Sequence, residues 1–144
     1  MTVAQEITRI SAELFLRIRP YDLLEMAFSN EKLRYRAESL LAYVNFYNHI
    51  AYWVTSLVLT RSTPKERAQF ITQSIRIMKH LGDLNDINSL MGIMTGLSVT
   101  EVSRLKKSWE LVSEADVNDL KKWELTLAEK SYQESKPFCL PFLA

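Results

Sequence analysis

Glycine, cysteine and histidine are all scarce in this 144-residue chain, and each scarcity excludes something. Its three glycines fall in neither a G-x-G nor a G-x-x-x-x-G-K pattern, so no phosphate-cradling loop is present. The single cysteine, Cys139, cannot close an internal disulfide. It reads as a small buried hydrophobe between Phe138 and Leu140, and it favours a reducing, cytoplasmic setting. His49 and His80 are the only other soft ligands, and no short local spacing links them to Cys139. No metal and no other cofactor is therefore expected. Charge of one sign is also missing: 18 Lys+Arg against 17 Asp+Glu leave +1. No general attraction to nucleic acid or an anionic membrane follows from that balance. The basic group Arg104, Lys106, Lys107, Lys121 and Lys122 is interleaved with Glu101, Glu110, Glu114 and Glu124, the pattern of a solvated helix surface. Long apolar runs are absent too. Residues 50–59 form a short run broken by Thr55 and Ser56, whereas a spanning helix needs about 20 residues. The N-terminus has neither the basic nor the apolar region of a secretory signal.

What the chain does contain is helical periodicity. Ile7, Ile10, Leu14 and Ile18 make one stripe, after which Pro20 breaks the helix and can open a short second one. Residues 29–36 are polar and charged and read as a loop. A long helix is expected over 38–59, with Leu40, Val44, Tyr47, Ala51 and Val54 on one face. Thr63-Pro64-Lys65-Glu66 then supplies an N-cap, a proline at the first helical position and a capping-box glutamate. The helix it opens turns Ala68, Ile71, Ile75 and Met78 inward and is expected to stop at Gly82. Asn85 or Asp86 caps the next helix, with Ile87, Leu90, Met91, Met94 and Leu97 apolar. Gly92 and Gly96 on that helix would let a neighbour approach closely. Ser98 or Thr100 can cap a short helix through Lys107. Ser113 can cap a last long one carrying Val117, Leu120, Trp123 and Leu127. No useful strand alternation and no repeat occurs, so the fold is all-α: an irregular multi-helix domain with no recognisable active site.

Three ordered stretches carry a resemblance. The first runs Glu13-Leu14-Phe15 to Ile18-Arg19-Pro20-Tyr21-Asp22-Leu23-Leu24. The second joins Tyr47-Asn48-His49-Ile50-Ala51-Tyr52-Trp53-Val54 to Lys65-Glu66-Arg67-Ala68. The third runs from Leu84-Asn85-Asp86-Ile87-Asn88-Ser89-Leu90-Met91 into Ser103-Arg104-Leu105-Lys106-Lys107-Ser108-Trp109-Glu110. Together they resemble the catalytic domain of the Ras-family guanine-nucleotide exchange factors, the group that includes Son of sevenless. The final Cys139-Leu140-Pro141-Phe142-Leu143-Ala144 is similar to the family's next motif, with Ala144 where glycine is usual.

The resemblance implies a non-enzymatic regulator that promotes GDP release from a Ras-like small GTPase of the Ras, Rap or Ral type. An alternative on the same scaffold is a non-catalytic adaptor or GTPase-binding module. In the family one surface grips switch II of the GTPase, and a helical hairpin opens switch I. By motif, Val44, Met91 and Phe142 match the walls of a pocket for a switch II tyrosine, and Asn45 matches a polar position reaching switch II. Ser98 stands where the family has an asparagine that contacts the GTPase, and its single hydroxyl is shorter. Read only from periodicity, the same apolar residues would be packed core. The family hairpin follows the Cys-Leu-Pro-Phe motif, so residues 1–144 are expected to be a domain truncated before it. Faces that later helices cover would then be exposed and would invite self-association.

Overall fold

Local capping chemistry sets most of the helix starts. In this computed structural model, which describes residues 2–134 and side chains through residue 128, helix α1 spans Val3–Phe15. Thr2 caps it reciprocally with Gln5: each side chain takes up the other residue's backbone N–H. Pro20–Met26 is 3-10 backbone that starts at the expected proline and is kinked at Leu24 and Glu25, and Arg34–Ala37 is a second 3-10 helix. Part of the expected 29–36 loop is therefore a helical turn that leads directly into α2, Glu38–Leu59. Helix α3, Pro64–Asp83, begins with the Thr63–Glu66 capping box read from the sequence. Helix α4 is Ile87–Ser98, capped by Asp86, whose Oδ1 accepts the Ser89 N–H at 3.2 Å. Two short helices follow, α5 (Thr100–Ser103) and α6 (Lys106–Trp109), and α7 is Glu114–Glu134. Ser113 does cap α7, accepting the Asp116 N–H at 3.1 Å. The described residues contain no strand, and the fold is all-α.

Three expectations are corrected. The stripe ending at Ile18 outruns its helix: α1 stops at Phe15, and its fully buried positions are the small Ala4 and Ser11. The helix expected to end at Gly82 runs through it. Gly82 is needed because the Trp123 ring lies against it: a Cβ there would sit 2.3 Å from Trp123 Cζ2. The left-handed residue that ends α3 is Asn85, with φ of 59°. The single short helix expected through Lys107 is two, divided at Leu105, with the Trp109 indole N–H donating across the break to the Val102 carbonyl at 3.0 Å.

The core lies between α2, α3 and α4. Ile71, Ile75, Met78 and Leu81 of α3 meet Ile50, Val54 and Val58 of α2 and Leu90, Ile93 and Leu97 of α4. Burying each of these larger side chains contributes roughly 1.5–3 kcal/mol. Helix α1 lies across α2 and α3, while α6 and α7 pack on the far side of α3. Val102, Val112 and Leu120 close that end of the core.

Candidate functional site

Helix α4 has two apolar faces, one fully buried and the other part-exposed. Leu90, Ile93 and Leu97 are buried, whereas Met91, Met94, Thr95 and Ser98 recur at i, i+3, i+4 and i+7 along the other face. These four residues, with Val99 and Leu127 of α7, line a groove of about 340 Å³. Met91 is 43% exposed although its helix passes through the centre of the fold. Burying it in a partner would stabilise a complex, and leaving it in water stabilises nothing. Met94 and Leu127, apolar helix positions in the sequence, pack against the core as well as lining the groove, as does Val99; the sequence assigned Thr95 and Val99 no role. The signal that could have found them is Thr95, a polar residue in register with Met91 on an apolar helix.

Small residues bring α4 close to α2. A Cβ on Gly96 would lie 2.6 Å from the Ala51 carbonyl oxygen and 3.0 Å from Val54 Cβ. On Gly92 it would lie 3.1 Å from the Tyr47 carbonyl oxygen. The close approach expected at both glycines is thus present, with α2 as the neighbour. Two hydrogen bonds fix the crossing. Tyr47 Oη and Thr95 Oγ1 share one at 2.6 Å, and Thr55 Oγ1 donates to the Gly96 carbonyl at 3.0 Å. The first of these also fixes the rotamer of a groove residue.

A buried polar cluster holds the start of α4. Ser11 Oγ of α1 donates to Asp86 Oδ1 at 3.1 Å, and the Tyr43 phenol of α2 lies beside both. Burial pushes the Tyr43 pKa above its ordinary 10, and the Asp86 charge acts in the same direction. Three helices therefore meet one carboxylate, which orients α4 and hence the groove.

Among the sequence-derived site residues, Met91 and Ser98 are brought together in the groove. Val44 is half-buried and Asn45 exposed on α2, about a turn before Tyr47, and neither lines the groove. Phe142 and Cys139 lie outside the described residues. No titratable side chain lines the groove, and no cluster of metal-ligating side chains occurs among the described residues. No described helix is long and apolar enough to cross a membrane. The arrangement can receive an apolar side chain beside two hydroxyls, which is recognition without covalent chemistry.

Comparison with known proteins bears on the same span. Ras guanine nucleotide exchange factor A of Dictyostelium discoideum is 35% identical over 111 residues, 77% of this chain and 18% of that protein. Ras guanine nucleotide exchange factor Q of the same organism is 31% identical over 150 residues, 99% of this chain and 12% of that protein. The Danio rerio Ras-specific guanine nucleotide-releasing factor RalGPS1 is 28% identical over 149 residues, 97% of this chain and 26% of that protein. The chain thus spans only about a tenth to a quarter of the length of these relatives. The model of the RasGEF domain matches residues 2–144. With a match over that whole span, the chain belongs to the RasGEF domain family.

Proposed function

We propose that this chain binds a Ras-like small GTPase of the Ras, Rap or Ral type and promotes GDP release from it in the cytoplasm. Residues 1–144 act as one unit, the switch II-binding part of such a domain. Met91 and Ser98 receive the switch in the groove, and the family resemblance also sets Val44, Asn45 and Phe142 against the GTPase. The observation that carries this reading is the part-exposed Met91 in an apolar groove, at the position that the family resemblance sets against switch II. Exchange then needs no catalytic group. A surface that binds the nucleotide-free GTPase better than the nucleotide-bound form shifts the population, and nucleotide leaves faster.

The test is release of fluorescent GDP from a panel of Ras, Rap and Ral GTPases with the chain in large excess. Weak acceleration of release from at least one member, visible at that excess, is expected, because the switch-opening hairpin of the family follows the motif at residues 139–142. A folded chain that binds a GTPase yet leaves GDP release unchanged would make this a non-catalytic binding module.

A further inference from the structure

The net charge of +1 conceals an uneven distribution. Of the fifteen large hydrophobic side chains exposed among the described residues, seven fall between residues 15 and 35. They include Phe15 at 59%, Leu16 at 81%, Leu24 at 65% and Tyr35 at 71%. The usual burial order is reversed there. The two small residues Ala27 and Ala37 are almost completely buried, while Leu23, Leu24 and Met26 stay outside. Glu25 and Met26 are consecutive non-glycine residues with φ of 56° and 51°. This uncommon backbone needs support from its surroundings. The support is present, because the two 3-10 helices pack on each other and on α2.

The same segment is rich in unpaired cations. Arg36 pairs with Glu25 at 3.6 Å, but among the described residues no carboxylate lies within ion-pair distance of Arg17, Arg19, Lys32 or Arg34. Asp22 makes no ion pair with those cations: it is 1% exposed, and its Oδ2 accepts the Arg19 backbone N–H at 2.9 Å. That leaves Glu31 as the unpaired acidic side chain among four unpaired basic ones in residues 15–36.

We propose that residues 15–36 form a peripheral docking surface for an anionic lipid bilayer. The exposed leucines, methionine and aromatics enter the boundary between headgroups and acyl chains, and the unpaired arginines and lysine meet lipid phosphates and carboxylates. Charge complementarity selects this occupant, since apolar and cationic groups are intermixed and a lipid interface accepts both. A protein interface gathers its apolar contacts in a core and leaves charge mainly to the rim, whereas here the two are interleaved. The inference is independent of the GTPase reading, because none of these residues lines the α4 groove.

Co-sedimentation of the full 144-residue chain with vesicles tests it. Binding is expected to vesicles of phosphatidylcholine with added phosphatidylserine, to weaken as salt rises, and to be far weaker with phosphatidylcholine alone. Replacing Arg17→Gln and Arg34→Gln together should lower partitioning roughly thirtyfold, at about 1 kcal/mol per cation. Leu16→Ser with Leu24→Ser should also lower it. Both pairs are exposed, so circular dichroism should show unchanged helix content. The proposal is overturned if the chain ignores anionic vesicles, if neutral vesicles bind equally well, or if both double variants bind like the parent. A chain that self-associates through Leu16 and Leu24 and leaves vesicles untouched overturns it too.

Discussion

Replacing Gly96 with valine is expected to destabilise the protein by about 3 kcal/mol, and the crossing of α2 and α4 is the reason. The first carbon added at Gly96 would meet the Ala51 carbonyl oxygen at 2.6 Å and the Cα of Ala51 at 3.2 Å. Both are backbone atoms inside a helix, so neither can swing aside as a side-chain tip could. The helices must separate, and that also stretches the Thr55 hydrogen bond to the Gly96 carbonyl and the Tyr47–Thr95 bond. Gly92→Ala provides the contrast. Its added carbon would stand 3.1 Å from the Tyr47 carbonyl oxygen, also backbone, and 3.2 Å from Ile50 side-chain atoms, so a helix shift of a few tenths of an ångström suffices. The gain in helix propensity of about 1 kcal/mol should offset most of that cost. Thermal unfolding should therefore fall by roughly 10 °C for Gly96→Val and change little for Gly92→Ala. Equal effects at the two sites would show that the crossing is looser than these distances imply.

Met91→Asp should separate binding from folding. Met91 is 43% exposed in the free protein, so a carboxylate there can remain hydrated, and the unfolding midpoint should barely change. In a complex the same carboxylate would be enclosed by Met94, Val99 and Leu127 with no cation in the groove. Burying an unpaired charge is strongly unfavourable, and a central apolar contact is typically worth at least about 2 kcal/mol. The affinity for the GTPase should therefore fall roughly thirtyfold or more, read by calorimetry or fluorescence anisotropy. Unaltered binding by the folded variant would remove Met91 from the interface.

Much of this fold is legible in the sequence because its helix starts are local. Thr63-Pro64-Lys65-Glu66 contains everything its cap requires, and so do Asp86 with Ser89 and Ser113 with Asp116. Where a helix end depends on a distant residue, the sequence misleads. Gly82 has the chemistry of a stop signal, but Trp123, forty-one positions on, makes it a packing position instead, and Asn85 ends the helix. The groove is legible only in part for the same reason. Met91, Met94, Thr95 and Ser98 share a face that can be counted from the sequence. Which of the two faces of α4 meets the core depends on where α2 crosses it, and Leu127 reaches the groove only through the placement of α7. The apolar and basic surface at residues 15–36 is invisible to a whole-chain charge balance, which averages the five basic and three acidic side chains of that segment into a near-neutral total.

The most direct test of the central claim compares the affinity of this chain for one GTPase in its nucleotide-free and GDP-loaded forms. The two titrations should be run side by side, with Met91→Asp as the control. An exchange factor must bind the nucleotide-free form more tightly, by at least about tenfold, or roughly 1.4 kcal/mol. That preference should collapse in Met91→Asp. Equal affinity for the two forms would contradict the account, because a surface with no differential binding cannot shift the nucleotide equilibrium however tightly it holds.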